Sequence, residues 1–309
     1  MPSLKAKIKV THYCENNCWY CFVKKEKRHI TSEMLEKIVM KLRKMYDTGK
    51  YSRVKISITG GDPFYTDRSL EAADLVTKTF KDADLFYFGE VCVTANLDRV
   101  KQFSKMGGGL LFSLNEDDPE EVARRQREVG GQGTFNVLFT KKNVERMDEI
   151  IEVIKKYKLR VRCNHIYDPE NKYNLIPYIE EGAKKLLTAL KDMNYVFPYS
   201  ISTFGNMNYQ NKSNTYCGYG ETYFNFDIYG NVSRCHMEDP ITTVYDENLE
   251  ETIQIKHEVL EKCNSCDFKS LCKGGCYYTN KYGKFCEQYY KIASLLSPCL
   301  IDKERNEND

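Results

Sequence analysis

From its start to about residue 200, the chain alternates short apolar runs with longer stretches whose apolar residues recur at helical spacing. Such alternation marks repeated strand–helix units whose crossovers lay the strands parallel in one sheet. The runs predict strands at Ala6–Thr11, Val54–Thr59, Gly89–Thr94, Leu110–Leu114, Thr134–Thr140 and Arg160–Asn164. Between them, Met34, Leu35, Ile38, Val39 and Leu42 share one helical face behind a Thr31–Glu33 start, and Val144–Tyr157 reads as another helix. Right-handed crossovers would wind the six units into an α/β fold, a partial (β/α)6 TIM-like barrel with functional groups at the C-terminal ends of its strands. The unusual residues obey that sorting: Cys14 follows the first strand, Gly60 and Gly61 the second, Asn96 the third and Asn115 the fourth.

Beyond residue 200 the pattern changes to short segments rich in Asn, Gly, Tyr and Cys. This predicts a division into residues 1–200 and a smaller domain, 201–309, held together by metal more than by an apolar core. The charged tail Lys303–Asp309 carries no role.

Charge narrows the function classes. Lys plus Arg number 46 against 44 Asp plus Glu, a balance that argues against nucleic-acid binding by bulk electrostatics. No apolar run approaches the roughly 20 residues of a spanning helix, and the basic N-terminus lacks the apolar centre of a signal peptide, so no membrane association and a cytoplasmic location are expected. In that compartment the 13 cysteines are more plausibly thiolates for metal than disulfides.

Their spacing carries the chemistry. Cys14, Cys18 and Cys21 lie on one short loop directly after a strand. A closed zinc site wants four ligands, whereas three cysteines on a four-iron cluster leave one iron free to bind something else. Zinc with a distant fourth ligand such as His29 remains the alternative. After the second strand comes Thr59-Gly60-Gly61-Asp62-Pro63-Phe64, in which paired glycines allow close backbone approach and Pro63 stops the strand.

Together these segments resemble the radical S-adenosylmethionine superfamily, with its CxxxCxxC loop and GGEP-like turn; Asp62 stands where Glu is commoner. The resemblance implies a [4Fe–4S] cluster on Cys14, Cys18 and Cys21, with S-adenosylmethionine on its open iron. It further implies that Tyr20 lies near the adenine and that Gly60, Gly61, Asp62 and Pro63 meet the methionine amino group. Ser113 and Asn115, with Arg125, would contact ribose and carboxylate.

The remaining ordered set runs Cys217, Cys235, Cys263-x2-Cys266-x5-Cys272-x3-Cys276, then Cys286. It resembles the cysteine-rich SPASM domain, an extension that carries auxiliary clusters. The resemblance implies an outer cluster on Cys263, Cys266, Cys272 and Cys286, and an inner one on Cys217, Cys235 and Cys276, making three [4Fe–4S] clusters in all. With one cysteine fewer, the inner cluster would keep an open iron, for which Asp227, Glu221 and His236 are candidate ligands. The alternative for this half is a zinc-ribbon-like scaffold. Cys92 and Cys163 read as small buried hydrophobes, Cys299 as an exposed cysteine, and His12 as a neighbour able to tune the first loop.

The leading functional expectation is a maturase that forms a crosslink, thioether or other change in a ribosomally made peptide. Auxiliary clusters would accept an electron or bind substrate. Flavodoxin or ferredoxin is the expected reductant, and a separate leader-peptide-binding protein the expected partner, since 13 residues precede Cys14. Alternatives are an alcohol dehydrogenase or protein side-chain oxidase of the same family, and a non-catalytic electron carrier or zinc scaffold.

Overall fold

The computed structural model describes residues 1–131, 133–166, 168, 172–192, 201–204, 215–255, 261–277 and 286–306, with 190–192, 201–204 and 298–306 described by backbone alone. Strand–helix units follow one another as expected: β1 (Ser3–Thr11), α1 (Ser32–Tyr46), β2 (Arg53–Gly60), α2 (Arg68–Thr79), β3 (Leu85–Val91), α3 (Leu97–Lys105), β4 (Gly109–Ser113), α4 (Pro119–Glu128) and β5 (Thr134–Leu138). Next come α5 (Lys141–Glu145), α6 (Met147–Tyr157), β6 (Val161–Asn164) and α7 (Ile176–Asp192). Beyond residue 200 lie β7 (Ile201–Phe204), β8 (Tyr223–Phe226), β9 (Asn231–Ser233), β10 (Thr242–Thr243), α8 (Leu249–Ile253), α9 (Lys269–Cys272) and α10 (Cys286–Asn306). The fold is the α/β partial barrel.

Two compact units interleave along the chain. The first comprises Met1–Phe112, Arg125–Gln132 and Gly218–His257; the second comprises Ser113–Arg124, Gly133–Cys217 and Glu258–Asp309. The change of composition near residue 200 is therefore a change in cysteine content, while compactness follows another division.

In the first unit the strand order is β10-β9-β8-β1-β2-β3-β4. β1 pairs parallel with β2 on one side and with β8 on the other. Alternation on β1 buries Leu4, Ala6 and Ile8 on one face, where α2 packs, and leaves Lys5, Lys7 and Lys9 on the other. Thr31 caps α1, its hydroxyl accepting from the Met34 N–H at 3.1 Å. In the second unit β5, β6 and β7 run parallel, and α10 packs against α7. Among the described residues no helix is long and apolar enough to cross a membrane.

The structure corrects two expected boundaries and the number of strands. β3 is Leu85–Val91 instead of Gly89–Thr94. Gly89 reads as a strand edge in the sequence but sits mid-strand, because the Phe64 ring fills its side-chain space: a Cβ there would lie 2.6 Å from Phe64 Cζ. The helix expected over Val144–Tyr157 breaks at Arg146, whose φ of −106° and ψ of 25° leave the helical region while its Nη2 reaches Asn143 Oδ1 at 2.7 Å. The expected six strands gain β7 beside β6 and β8 beside β1.

Candidate cluster-binding site

The cysteine loop begins at an irregularity. Lys9 pairs with Thr59 but Thr11 with Gly60, so β1 carries one residue more than β2 and both Val10 and Thr11 are buried. A bulge of this kind bends the strand and re-aims the residues beyond it. Thr11 anchors the base of the loop: its hydroxyl lies 2.8 Å from His29 Nδ1, donates to Arg28 O at 3.2 Å and accepts from Tyr13 N at 3.0 Å. His12 closes the same neck through Glu26 Oε1 at 2.9 Å and through its N–H on Arg28 O at 3.0 Å. His29, considered above as a zinc ligand, is thus bonded to Thr11, and burial lowers its pKa, followed by Arg68 nearby. Beyond the neck Cys14 and Cys18 are half-buried, Cys21 is exposed, and all three are free of disulfides. Tyr20 is half-buried and meets Trp19 edge-to-face at 5.2 Å.

The glycine turn is fitted to that loop. The Gly61 N–H donates to Thr11 O at 2.9 Å and the Asp62 N–H to Tyr13 O at 2.7 Å. A Cβ on Gly60 would lie 2.1 Å from Thr11 O, and one on Gly61 would lie 2.1 Å from Tyr13 O and 3.0 Å from Cys14 Cβ. Gly60 also has a φ of +152°. The close approach for which the glycines are needed is therefore to the cysteine loop itself. Asp62 is buried, its Oδ1 accepting from Phe64 N at 3.0 Å, and burial raises its pKa, opposed by the Phe64 N–H and Cys92.

Cys92, read in the sequence as a buried hydrophobe, lies beside Cys14 at the end of β3, and its Sγ is 3.3 Å from Thr94 Oγ1. Its hydrogen bond, set against the cost of burial, brings the Cys14 thiol down to about 7. Three thiols outside any disulfide at this spacing, on a neck clamped by Thr11 and His12 and seated on two glycines, suit a [4Fe–4S] cluster. Among the described residues no group of three or more His, Cys, Asp or Glu side chains is placed to hold a metal ion. Cys163 is fully buried, and burial pushes its thiol up to about 12.

In the second unit, Ser113 Oγ accepts from Asn136 Nδ2 at 3.5 Å, and Asn136 Oδ1 from Asn164 Nδ2 at 2.8 Å, a polar row from the end of β4 through the middle of β5 to the end of β6. Sequence reasoning missed Asn136 and Asn164; their signal is an amide inside the runs Thr134–Leu138 and Val161–Asn164. Asn115 takes a left-handed φ of 53°, and Asn143 supports it by donating to its carbonyl. Arg125, in the first unit, donates through Nη2 to Ala95 O, and its buried Nε has no hydrogen-bond partner among the described residues.

Of the second cysteine set, Cys263, Cys266, Cys272 and Cys286 lie within electrostatic reach of one another in the second unit. Burial, then Cys286, Cys263 and Cys266, push Cys272 up to about 12. Cys276 is buried and Cys217 half-buried in the same unit. Cys235 lies in the first unit, its carbonyl accepting from Ser233 Oγ at 2.8 Å. Of the candidate ligands beside them, Asp227 is taken up in the β8–β9 turn, accepting from Tyr229 N, Asn231 N and Asn231 Nδ2. His236 packs against Phe22 with ring centroids 4.6 Å apart and planes tilted by 33°, and burial lowers its pKa well below the usual imidazole value, aided by Lys7 and Lys9. The Cys299 side chain lies outside the described residues.

A parallel partial barrel whose first strand ends in a clamped three-thiol loop defines an enzyme of the cluster-binding barrel class. The profile of the Radical SAM superfamily matches residues 8–172, more than half of the chain, and the chain belongs to that superfamily. The family implies a [4Fe–4S] cluster, and the cysteine-rich C-terminal region is consistent with a SPASM extension. Native anSMEcpe with bound AdoMet and Cp18Cys peptide is similar over 99% of both chains, with a TM-score of 0.73 at 17% identity. Native anSMEcpe with bound AdoMet gives 0.71 at 16%, over 99% of this chain and 100% of that one. Streptococcus suis SuiB bound to precursor peptide SuiA gives 0.57 at 18%, over 92% and 74%. No curated protein matches in sequence.

Proposed function

We propose that this radical SAM enzyme modifies a ribosomally made peptide. The observation that carries the reading is the end-to-end likeness, over 99% of both chains, to a structure holding both AdoMet and a peptide. The precursor peptide bound by SuiB points the same way.

When bound on Cys14, Cys18 and Cys21, a [4Fe–4S] cluster supplies reductive cleavage of S-adenosylmethionine, and with it a 5′-deoxyadenosyl radical able to abstract hydrogen from the peptide. The chain's own residues orient and exclude. Thr11 and His12 hold the neck, while Gly61 and Asp62 fix the loop carbonyls at Thr11 and Tyr13. Tyr20, Gly60, Gly61, Asp62, Pro63, Ser113, Asn115 and Arg125 are the proposed contacts to S-adenosylmethionine. Cys263, Cys266, Cys272 and Cys286 are proposed to hold one auxiliary cluster, and Cys217, Cys235 and Cys276 another, serving as electron acceptors or substrate ligands. Flavodoxin or ferredoxin would supply the electron, and a separate protein would present the leader segment.

The test is anaerobic reconstitution followed by incubation with S-adenosylmethionine, a reductant and the short peptides encoded beside the gene. A mass change in one peptide, matched by 5′-deoxyadenosine, supports the reading. Unchanged peptides, with an alcohol oxidised in step with 5′-deoxyadenosine, would transfer the enzyme to small-molecule chemistry.

A further inference from the structure

The connection from β4 to α4 is held by side chains from further along the chain. Two residues beyond Ser113, Asn115 takes its left-handed φ of 53°, a conformation that a residue with a Cβ keeps only where its surroundings enforce it. The next three carbonyls are each taken by a side chain of the α5–α6 segment. Asn143 Nδ2 donates to Asn115 O, Lys142 Nζ to Glu116 O at 2.7 Å, and Arg146 Nη2 to Asp117 O. Connecting segments run over the surface, where water ordinarily meets such carbonyls.

Asn143 is the centre of this clamp. It is fully buried in the first turn of α5, where Thr140 Oγ1 accepts from its backbone N–H at 3.2 Å. An Asn amide offers two hydrogens and an oxygen with two lone pairs, and here all are used. Nδ2 donates to Asn115 O and, at 2.9 Å, to Leu138 O; Oδ1 accepts from Arg146 Nε at 3.2 Å and from Nη2 at 2.7 Å. Turned over, the amide would set its oxygen against two carbonyls and its N–H groups against a guanidinium, so a single orientation is fixed. The departure from helix at Arg146 belongs to the same arrangement, since the guanidinium placed there bridges Asn143 Oδ1 and Asp117 O. All of these residues lie in the second unit.

Functional groups of a parallel barrel sit at the C-terminal ends of its strands, where Ser113 and Asn115 stand. We propose that Asn143, braced by Arg146, is a positioning residue that holds the β4–α4 connection in the shape presenting Ser113 and Asn115 to S-adenosylmethionine. The proposal rests on the assignment of Ser113 and Asn115 as contacts and deepens it by a residue acting through their backbone.

The experiment measures S-adenosylmethionine affinity of the anaerobically reconstituted holoenzyme by equilibrium dialysis, and KM and kcat by peptide-independent 5′-deoxyadenosine formation with dithionite. Asn143→Ala should weaken binding and raise KM about tenfold, with kcat within about threefold and iron content unchanged, because the support lost serves bound and reacting states alike. Lys141→Met, at an exposed position of the same helix, should change neither constant. Asn115→Gly keeps the left-handed turn without strain but removes the side chain, and should itself weaken binding. Adding Asn143→Ala to it should then cost far less than Asn143→Ala alone, because the contact it supports is already gone. If iron content and a thermal melt show that Asn143→Ala does not fold, Arg146→Met decides in its place, with an expected loss of affinity of about threefold. Unchanged affinity in the deciding variant, with binding weakened in Asn115→Gly, overturns the clamp and leaves the contacts standing. Unchanged affinity in Asn115→Gly overturns the contact assignment and the clamp with it. A fall in kcat without a rise in KM, or full additivity in the double variant, also overturns the clamp and assigns Asn143 a general structural role.

Discussion

At the scale of single residues, the informative positions are those where a missing atom or an amide does structural duty. Gly61 has no room for a methyl group, because its Cβ would press on Tyr13 O at 2.1 Å and on Cys14 Cβ at 3.0 Å. Gly61→Ala must therefore shift the loop that carries the thiols, at a strain cost of about 1–3 kcal/mol. The expected outcome is loss of about four irons per chain while the auxiliary set keeps its metal, with 5′-deoxyadenosine formation down by about 100-fold. Iron analysis and chromatography of the cleavage product check it; full cluster content with wild-type turnover would show that the loop does not depend on this contact. The glycine pair was legible as a motif, whereas its partner was not: nothing in Thr59–Phe64 announces that the surface approached is the backbone of residues 11–13. The neighbour of Cys92 was illegible for a similar reason, since Cys14 is brought to it by the β1–β2–β3 pairing, a long-range fact without local signature.

At the scale of elements, periodicity located the early strands and helices well because each unit buries one clean face, as Leu35, Ile38, Val39 and Leu42 do on α1. It failed where tertiary packing overrode local pattern, at Gly89 beneath the Phe64 ring and at Arg146, whose side chain turns back to Asn143. It could not reveal the return of β8 to β1, because a short run such as Tyr223–Phe226 fits many partners. That return nevertheless anchors the first unit. Phe224 and Phe226 are fully buried, and α1 holds the segment after β10 through Lys41 on Asp246 O and Lys44 on Glu247. Phe226→Ala should destabilise this unit by about 3–5 kcal/mol. Lys44→Ala removes an exposed ion pair and should cost under about 1 kcal/mol. Denaturant melts of the two variants, read by intrinsic fluorescence, test the contrast, and comparable losses would mean that β8 is held by its charges.

At the scale of the whole molecule, stability and metal content should respond to different perturbations. Cys272→Ala removes one thiol from the group of Cys263, Cys266, Cys272 and Cys286, so about four irons should be lost while peptide-independent cleavage of S-adenosylmethionine persists. Acid acts elsewhere. His165 is buried, its Nε2 lies 3.2 Å from Tyr289 OH, and burial lowers its pKa to about 4 from an ordinary value of 6.5. Above pH 6.5 neither the folded nor the unfolded chain protonates this imidazole, and it adds no pH dependence. As pH falls below 6.5 the unfolded chain takes up a proton that the folded chain refuses, so the folded state loses ground until pH 4, where both are protonated. The loss amounts to about 2 kcal/mol at pH 5 and about 3 kcal/mol in full. His165→Asn, which cannot titrate, should be less stable at pH 7 through its poorer fit yet show a flatter decline between pH 6.5 and 4. Urea unfolding of both chains at closely spaced pH values measures the two slopes. Parallel slopes would mean that His165 is protonated in the fold at mild acidity, and that the contact with Tyr289 admits a charged imidazole.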